Sequence, residues 1–372
     1  MGASLAARDR LYAARDRLVA SPGFRRFAAR FALTRPIARR RAKAAFDLAA
    51  GFVYSQVLLA SVRLGLLDVL AERPQSVEVL SGRIGVPPDA TARLLEAAVG
   101  LDLASLRGPN RYGLGETGAA IAGDPAVRAM VEHHALLYGD LADPVALLRG
   151  TTSPSLREYW AYARSDRPES LAEARVAPYS GLMAASQSLV AGEVTAAYDF
   201  ARHRCLLDVG GGEGAFVAAV AAAFPHLRFL LFDLPAVAAR AGERLRALGL
   251  AARTAVAGGD FRRDALPRGA DVATLVRVLH DHDDNDACAL MRNVRAALAP
   301  GATLVIAEPM PDNPGAAHAC AYFAMYLLAM GSGRLRSYDT LVSLLGNAGF
   351  TGVRRVPTAI PLQTGIVVAR AA

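Results

Sequence analysis

Two side chains in the second half of the sequence have the chemical character of a general base and its partner. His280 follows the predicted strand 272–275, and Glu308 stands at the end of the next predicted strand, 303–307. Parallel strands of one sheet end at the same edge, so we expect the two side chains to lie within reach of each other. A carboxylate in that position would orient the imidazole and stabilise its protonated form.

Two other interpretations of this region stay open. The acids around His280 would equally suit the start of a helix, with the histidine simply exposed to solvent. His280, His282 and the nearby acids could also bind a metal ion. No separate group of ligands is evident, so we predict no metal site.

A glycine-rich turn indicates a ligand-binding edge on the same sheet. The segment 206–214 runs from an apolar strand through Asp208 into Gly-Gly-Gly-Glu-Gly, and Asp233 ends the second strand 19 residues after Gly214. Glycines let the backbone approach a ligand, and an acid at the second strand accepts hydrogen bonds from ribose hydroxyls. A further acid, Asp260, follows where the third strand should end. This set fits a small adenosyl ligand that carries an amino acid, although the glycine spacing also matches a dinucleotide fingerprint.

The elements around these motifs alternate between strand and helix. Apolar runs predict them in the order strand 205–209, helix 215–224, strand 229–232, strand 272–275, helix 286–298, strand 303–307, helix 341–348 and strand 366–368. Such alternation is typical of a doubly wound, mostly parallel α/β sheet. We therefore assign residues 201–372 to a Rossmann-like domain.

The segment 42–128 has the pattern of a winged-helix unit. Short helices flank the turn 85–89, and a hairpin follows on 103–106 and 111–114. In a DNA-binding protein the second helix would carry groups that reach bases or phosphates. The segment 90–101 carries one Arg and one Glu, so we predict no nucleic-acid binding and interpret the unit as a dimerisation domain.

The segment 1–41 is a basic arm. It holds eleven arginines and two aspartates, a net charge of +9, whereas the whole chain carries +8. Phe24, Phe27 and Phe31 share one face of a predicted helix. The arm is either a solvated terminus or an interfacial helix on anionic lipid, with nucleic acid a weaker alternative. It lacks the apolar core of a signal peptide, and we expect no clean membrane span in the chain.

The order of these motifs resembles the S-adenosylmethionine-dependent small-molecule O-methyltransferases, the plant caffeate and flavonoid enzymes and their bacterial relatives. The resemblance covers residues 45–372 and rests on 208–214, 232–235, 259–261, 277–281 and 308–310. It implies that S-adenosylmethionine is the cofactor, that His280 is the catalytic base supported by Glu308, and that the chain forms a homodimer. The residues expected to bind the cofactor are Asp208, Gly210, Gly212, Asp233, Leu234, Asp260, Phe261 and Arg277.

Within this family the sequence is similar to the hydroxyneurosporene and demethylspheroidene group of purple photosynthetic bacteria. The resemblance is carried by 33–40, 52–58, 132–138, 140–150 and 159–163. It implies a hydrophobic substrate, an acyclic hydroxycarotenoid. We interpret residues 129–200 as a helical substrate-pocket linker, and the candidate pocket residues are His133, Tyr138, Trp160, Met183, Tyr322, Met325 and Tyr326.

Two positions depart from the plant enzymes. His282 stands where they usually carry Trp, and Leu335 stands where they carry a second assisting Glu. We therefore expect a single carboxylate, Glu308, to support His280. The loss of a charge also makes the pocket more apolar, which suits a polyene.

The expected activity is methylation of a carotenoid hydroxyl in photosynthetic organisms. Three unpaired cysteines favour a reducing cytosol, so we expect a cytoplasmic enzyme that the arm brings to the inner, photosynthetic membrane. The alternatives are an O-methyltransferase of a phenolic or polyketide aglycone, a ring methyltransferase of a bacteriochlorophyll precursor, and a winged-helix regulator that senses the nucleotide.

Overall fold

The computed structural model describes residues 2–159, 173–361 and 364–372. Contacts divide the chain into two compact units, Met1–Ala120 and Ile121–Ala372. Helices α3 and α8 run through residues 41 and 128, where two of the predicted domain boundaries lie. The predicted pocket residue Trp160 lies outside the described residues.

The first unit is helical with one small hairpin. Its elements are α1 (Gly2–Ala20), α2 (Pro22–Arg30), α3 (Arg35–Arg63), α4 (Leu66–Glu72), α5 (Val77–Ile84), α6 (Pro88–Gly100), β1 (Ala104–Gly108), β2 (Arg111–Leu114) and the start of α7 (Glu116–Ala122). Helices α5 and α6 are separated by Gly85, whose φ of 68° ends α5 in a left-handed turn. The antiparallel pair β1–β2 completes the winged-helix pattern that the sequence predicts.

Helix α3 differs from the expectation that no segment could span a membrane. It is 29 residues long and, by length and composition alone, apolar enough to cross one. The uncharged run 48–62 is too short by itself to cross a membrane. In the structure this run is the later part of a longer helix, which begins in the charged residues before it. Only 11% of its most apolar stretch is buried inside the protein.

The second unit begins with helices that precede the sheet. They are α8 (Pro125–Asp140), α9 (Pro144–Leu148), α10 (Ser155–Tyr159) and α11 (Glu173–Ala197). The later helix α15 (Ala317–Met330) packs with α8 and α10 around a buried cluster that contains Leu137, Leu156 and Tyr326. The buried residues of α15, which are Tyr326, Leu327, Ala329 and Met330, are thus part of the protein core.

The sheet of the second unit has seven strands in the order β5-β4-β3-β6-β7-β9-β8. The strands are β3 (Cys205–Val209), β4 (Arg228–Asp233), β5 (Thr254–Gly258), β6 (Val272–Val276), β7 (Thr303–Glu308), β8 (Phe350–Val356) and β9 (Gly365–Ala371). The first five in space are parallel, and β9 and β8 are antiparallel to their neighbours. The predicted doubly wound, mostly parallel fold is confirmed.

Helices cover both faces of this sheet. They are α12 (Ala215–Ala223), α13 (Pro235–Ala247), α14 (Asp284–Ala297) and α16 (Tyr338–Asn347). Two apolar clusters fill the layers between sheet and helices. The chain order reverses between β3 and β6, and in open α/β sheets ligands bind beyond the carboxyl ends of the strands at this kind of reversal.

Candidate active site

A cavity opens beyond the carboxyl ends of β3, β4 and β6. Its empty volume, including the open mouth, is about 1040 Å³. All eight residues expected to bind a cofactor line it, and they come from four separate segments, at the ends of β3, β4, β5 and β6. The structure adds Ser180, Met183, Ala184 and Gln187 from α11, which the glycine-rich pattern alone does not reveal.

The turn after β3 has room for glycine alone. Gly210 has φ of 69°, and a Cβ there would lie 2.7 Å from a methyl of Val278. A Cβ on Gly211 would lie 2.8 Å from Asp208 Oδ2 and 2.9 Å from Leu231. Side chains would therefore displace the walls of the cavity, and the bare backbone keeps it open to a ligand.

Asp208 is a buried acid whose carboxylate group is only partly satisfied by hydrogen bonds. Its side chain is 1% exposed, and Oδ1 accepts a hydrogen bond from the Thr274 hydroxyl at 2.7 Å. Oδ2 has no hydrogen-bond partner among the residues that the structure describes. Burial raises the pKa of Asp208 to about 7. An unsatisfied buried carboxylate beside a cavity favours a cationic or hydrogen-donating ligand.

Asp233 is held in place by the backbone around it. Its Oδ2 accepts the Gly212 N–H at 2.7 Å and its Oδ1 accepts the Leu234 N–H at 2.7 Å. Burial nevertheless raises the pKa of Asp233 to about 6. The carboxylate thus ends β4 at the cavity in a fixed orientation, with lone pairs left to accept hydroxyl groups.

Asp260 and Phe261 form the opposite wall of the cavity. Burial would raise the pKa of Asp260, but the Arg262 guanidinium at 2.9 Å holds it below its usual value. The Phe261 ring meets the His282 ring edge-on at 5.1 Å. Burial and nearby Arg262 lower the pKa of His282 to about 4, so this imidazole is neutral at pH 7. His282 lines the cavity as well, although its position alone did not predict that.

Arg277 follows β6 in a left-handed conformation, with φ of 59°. Such a backbone is uncommon for a residue with a side chain and often marks a functional site. Its guanidinium donates to Ser186 Oγ at 2.7 Å and contacts Met183 Sδ at 3.2 Å. Arg277 therefore links the sheet edge to α11 as well as lining the cavity.

The predicted pair of His280 and Glu308 is brought together. His280 Nδ1 lies 2.5 Å from Glu308 Oε2, and both side chains are buried. The other oxygen, Oε1, accepts the N–H groups of Val278 at 2.8 Å and Leu279 at 2.7 Å. Because Oε1 accepts two amides, Glu308 is held as a carboxylate, and Nδ1 is the nitrogen that donates to it.

A second carboxylate also faces the imidazole ring of His280. Because Leu335 replaces the second assisting Glu of the plant enzymes, we expected Glu308 to be the single supporting acid. Asp281 Oδ1 lies 3.2 Å from His280 Nε2, and Asp281 lines the cavity. Burial alone would lower the pKa of His280, but Asp281 and Glu308 raise it above its ordinary 6.5. The prediction of a single supporting acid is therefore wrong: a 3₁₀ turn over Leu279–Asp281 brings the adjacent residue beside the ring.

The candidate substrate residues divide between two places. Met183 lines the cavity, whereas His133, Tyr322 and Tyr326 belong to a cluster between α8 and α15. In that cluster His133 Nε2 pairs with the Tyr326 hydroxyl at 2.9 Å, and His134 Nε2 pairs with the Tyr322 hydroxyl at 2.8 Å. The remaining described members are Tyr138, whose ring is 6.4 Å from that of His134, and Met325, which is partly buried against the same cluster.

Helix α15 connects this cluster to the candidate base. The Phe323 ring meets the His280 ring edge-on at 5.6 Å, and Tyr322 packs on Phe323 at 5.1 Å. An aromatic wall thus lies over one side of His280. The sequence analysis selected Tyr322 and Tyr326 as candidate pocket residues but not Phe323. The spacing of residues on a helix does not show which of them faces His280.

The cavity fits the S-adenosylmethionine that the sequence resemblance implies. The uncompensated oxygen of Asp208 suits an ammonium group, the Asp233 carboxylate suits a ribose, and the bare glycine turn admits a ligand close to the backbone. Within residues 2–159, 173–361 and 364–372, no group of three or more His, Cys, Asp or Glu is arranged to hold a metal ion.

Comparison with known proteins agrees with this geometry. Residues 138–351 match the O-methyltransferase domain family, and residues 46–122 match the O-methyltransferase dimerisation domain. The chain is 42% identical to the demethylspheroidene O-methyltransferase of Cereibacter sphaeroides, over 95% of this chain and 93% of that one. The same identity holds for the Rhodobacter capsulatus enzyme of that name, over 91% and 84% of the two chains.

A solved structure has the same architecture. The mitomycin 7-O-methyltransferase MmcR superposes with a TM-score of 0.73 at 27% identity, covering 91% of this chain and all of that one. The matching domains, the identity over nearly the full length and the shared fold lead to one conclusion. The chain belongs to the family of S-adenosylmethionine-dependent O-methyltransferases.

Proposed function

We propose that this enzyme methylates the hydroxyl group of an acyclic hydroxycarotenoid of the demethylspheroidene type. The observation that carries the proposal is the 42% identity, over nearly the whole chain, with two demethylspheroidene O-methyltransferases. Those two enzymes are named for the O-methylation of demethylspheroidene. The same likeness supports a role in carotenoid biosynthesis for this chain.

The cavity residues divide the task of holding the cofactor. Asp208 would accept the ammonium group, Asp233 would accept the ribose hydroxyls, and Asp260 and Phe261 would border the adenine. When bound, S-adenosylmethionine supplies a methyl group activated by its positive sulfur. The chain's own contribution is to hold the acceptor oxygen in line with that methyl group and to exclude water.

His280 takes the proton of the acceptor hydroxyl at Nε2. Nδ1 is committed to Glu308, so Nε2, which faces the cavity-lining Asp281, is the nitrogen that accepts the proton. An alkyl hydroxyl is far less acidic than imidazolium, so His280 takes the proton at Nε2 during methyl transfer rather than before it. General-base assistance of this kind contributes about 10²–10⁴ in rate.

The two flanking acids stabilise the imidazolium that results. Glu308 and Asp281 each place a carboxylate oxygen within 3.2 Å of a ring nitrogen. Their charges lower the free energy of the protonated ring at the end of the step. Phe323 covers the ring and limits the access of water.

The acceptor chain occupies the apolar side of this site. Met183 borders both the cavity and the cluster of α8 and α15, and Tyr322 and Tyr326 use their hydroxyls to bond histidines. Because both tyrosine hydroxyls are already paired, neither needs a hydrogen bond from a polyene. This supports Tyr138 and Met325, which pack against the same cluster, as further candidates for the pocket.

The arm is the proposed contact with the membrane, where such a substrate dissolves. The rings of Phe27 and Phe31 are 57% and 45% exposed and stack on each other at 5.4 Å. Exposed arginines surround them on α2 and α3. Exposed aromatic rings within a strongly basic segment favour the surface of an anionic bilayer. The proposed enzyme is therefore cytoplasmic and peripheral to the inner membrane.

The dimerisation domain supports a homodimer. Helix α3 exposes Phe46, Leu48 and Phe52 at 66%, 83% and 73%, and this stretch begins where the dimerisation family match begins. Sedimentation equilibrium of the full chain should give twice the monomer mass of 39.1 kDa. A monomer at micromolar concentration would contradict this part of the proposal.

The test of the substrate is product analysis. The purified enzyme is incubated with S-adenosylmethionine and, separately, with a hydroxylated acyclic carotenoid in detergent and with a simple phenol. We expect a product heavier by one methylene unit from the carotenoid, with the added methyl on oxygen. Methylation of the phenol alone, or methylation on carbon, would refute the proposed substrate.

The test of the arm is binding of the full chain to liposomes. We expect co-sedimentation with vesicles containing phosphatidylglycerol and little with phosphatidylcholine alone. The double variant Phe27→Ser and Phe31→Ser should reduce binding, whereas Leu248→Ser, which changes an equally exposed side chain outside the arm, should not. Equal binding by both variants would rule out the arm as the contact.

A further inference from the structure

The turn that carries His280 is held weakly by its own backbone. Leu279–Asp281 forms a 3₁₀ turn, whose internal bonds from Asp281 N–H and His282 N–H are long, at 3.3 and 3.2 Å. Such turns have poorer hydrogen-bond geometry than an α-helix. The direction of the imidazole therefore depends on what holds this turn from outside.

A segment 51 to 57 residues further along the chain binds the carbonyl groups of the turn. Arg336 Nη1 donates to Leu279 O at 2.5 Å, and Arg336 Nη2 donates to His282 O at 2.7 Å. Ser332 Oγ donates to Asp281 O at 3.0 Å. Three of the four carbonyl groups from 279 to 282 are thus bound by this segment.

The remaining carbonyl is in direct contact with a glycine of the same segment. Gly333 has φ of 87°, and a Cβ built there would lie 2.2 Å from His280 O. Its N–H donates to Asp283 Oδ1 at 3.2 Å. A glycine is required here because any side chain would push against the backbone of His280.

Arg336 itself is a buried cation. Its side chain is 2% exposed and pairs with Asp284 Oδ1 at 2.8 Å. The planar guanidinium has five N–H donors in a fixed fork, so one side chain can bind both ends of the turn and the acid at the start of α14. An ammonium group cannot reach all three at once.

We propose that Ser332, Gly333 and Arg336 form a clamp that sets the direction of the His280 ring, with Arg336 as its positioning residue. The inference rests on the proposed function, in which His280 is the base. The clamp acts on the imidazole through the backbone of the turn. It keeps Nδ1 against Glu308 and Nε2 against Asp281.

The chain offers a matched control for Arg336. Arg334 pairs with the same acid, Asp284, at 3.3 Å, but its side chain is 62% exposed. The variants Arg336→Met and Arg334→Met therefore remove the same charge from the same partner. Only the first removes the bonds to the turn.

The experiment measures the His280 pKa and turnover in the full-length enzyme. Histidine labelled with ¹⁵N is titrated by NMR, and His280→Gln identifies the signal among seven histidines. The charged groups that face the ring are Asp281, Glu308 and Arg277. Because the two acids raise the pKa only while the ring stays between them, we expect Arg336→Met to bring it back toward 6.5 and Arg334→Met to leave it unchanged.

Turnover should follow the same pattern. A base displaced by about 1 Å can cost on the order of 10²-fold in rate, so we expect a loss of that order in kcat for Arg336→Met with little change in the KM for S-adenosylmethionine. Arg336→Lys should recover part of the loss, and Ser332→Ala should give a smaller loss with a pKa shift of the same sign. Arg334→Met should match the wild type.

The possible outcomes distinguish a failure of the proposed clamp from a failure of the assignment of His280 as the base. If Arg336→Met and Ser332→Ala lower the melting temperature but leave the His280 pKa unchanged, the residues are only structural and the clamp is refuted. Equal effects of Arg336→Met and Arg334→Met would refute it too. If His280→Gln keeps the wild-type kcat, the base assignment fails instead, whatever the NMR titration shows for the clamp.

Discussion

Glu308 binds His280 and the backbone of the same turn at once, with Oε2 at 2.5 Å from Nδ1 and Oε1 bound to the amides of Val278 and Leu279. Burial would favour the neutral acid, but His280 and these amides keep the pKa of Glu308 below its ordinary value. One side chain therefore sets the tautomer of the ring and binds the turn from its amide side, opposite in chemistry to the carbonyl groups that Ser332 and Arg336 bind. We therefore expect the activity to be sensitive to substitution of the Glu308 carboxylate.

The variant Glu308→Gln should reverse the tautomer of His280. The amide oxygen can keep the two backbone bonds, but its NH₂ group then faces Nδ1 and forces the ring proton onto Nε2. By analogy with the loss of the carboxylate in a catalytic triad, kcat should fall by on the order of 10³–10⁴-fold. Calorimetric affinity for S-adenosylmethionine should be unchanged. A loss below tenfold would show that Glu308 does not orient the base.

The variant Asp281→Asn should move the acid limb of the pH profile of kcat to lower pH. The base is active only when neutral, so activity falls as the pH drops below the His280 pKa, which Asp281 helps to raise above 6.5. An opposite charge this close shifts a pKa by about 1 unit or more. The exposed Asp339→Asn is the control and should leave the limb in place. An unshifted limb in Asp281→Asn would exclude an interaction of this carboxylate with the ring.

Binding of S-adenosylmethionine should weaken as the pH falls below 7. The pKa of Asp208 is raised to about 7 by burial, and a cationic ligand binds its carboxylate form. Below pH 7 binding must release a proton, so the dissociation constant should rise by up to about tenfold per pH unit. Calorimetry in buffers of different ionisation enthalpy measures this proton release. Asp208→Asn should bind more weakly and lose the dependence near pH 7, leaving a slope near pH 6 from Asp233.

The free energy of unfolding should decrease between pH 6.5 and pH 4 in part because of His133. Burial and the neighbouring His134 lower its pKa from 6.5 to about 4 in the folded protein. In this range the unfolded chain takes up a proton and the folded chain does not, so protonation favours unfolding. Denaturant unfolding should show a shallower pH dependence in His133→Gln than in the wild type. The exposed His318→Gln should keep the wild-type slope, and equal slopes in both variants would contradict this assignment.

Much of the sheet follows from local sequence patterns. The apolar runs before Asp208 and before Glu308 are continuous, as buried parallel strands require, and they were predicted to within a residue. Strand β8 was not predicted, because Gly352, Arg354 and Arg355 interrupt its apolar pattern and its pairing with β9 is set by the fold.

The parts of the candidate site that follow from the order of strands and helices could be predicted from the sequence. His280 and Glu308 end adjacent strands, so the alternation of elements predicts their proximity. The contact of Asp281 with Nε2 was missed because it depends on the 3₁₀ geometry of the turn, which composition does not specify. The role of Arg336 was missed for a different reason: its partners lie more than 50 residues away, and no local pattern distinguishes it from the exposed Arg334.

The chain order reverses between β3 and β6. This reversal separates the residues proposed to bind the methyl donor from the residues proposed to accept the proton. The groups proposed for the methyl donor end β3, β4 and β5, whereas the proton acceptor and its carboxylates follow β6 and β7. The donor half and the acceptor half thus belong to different stretches of sequence. Helices α8 and α15 can therefore diverge to admit new alcohols while the donor half stays as it is, and exchange of these two helices between relatives is a direct route to altered selectivity.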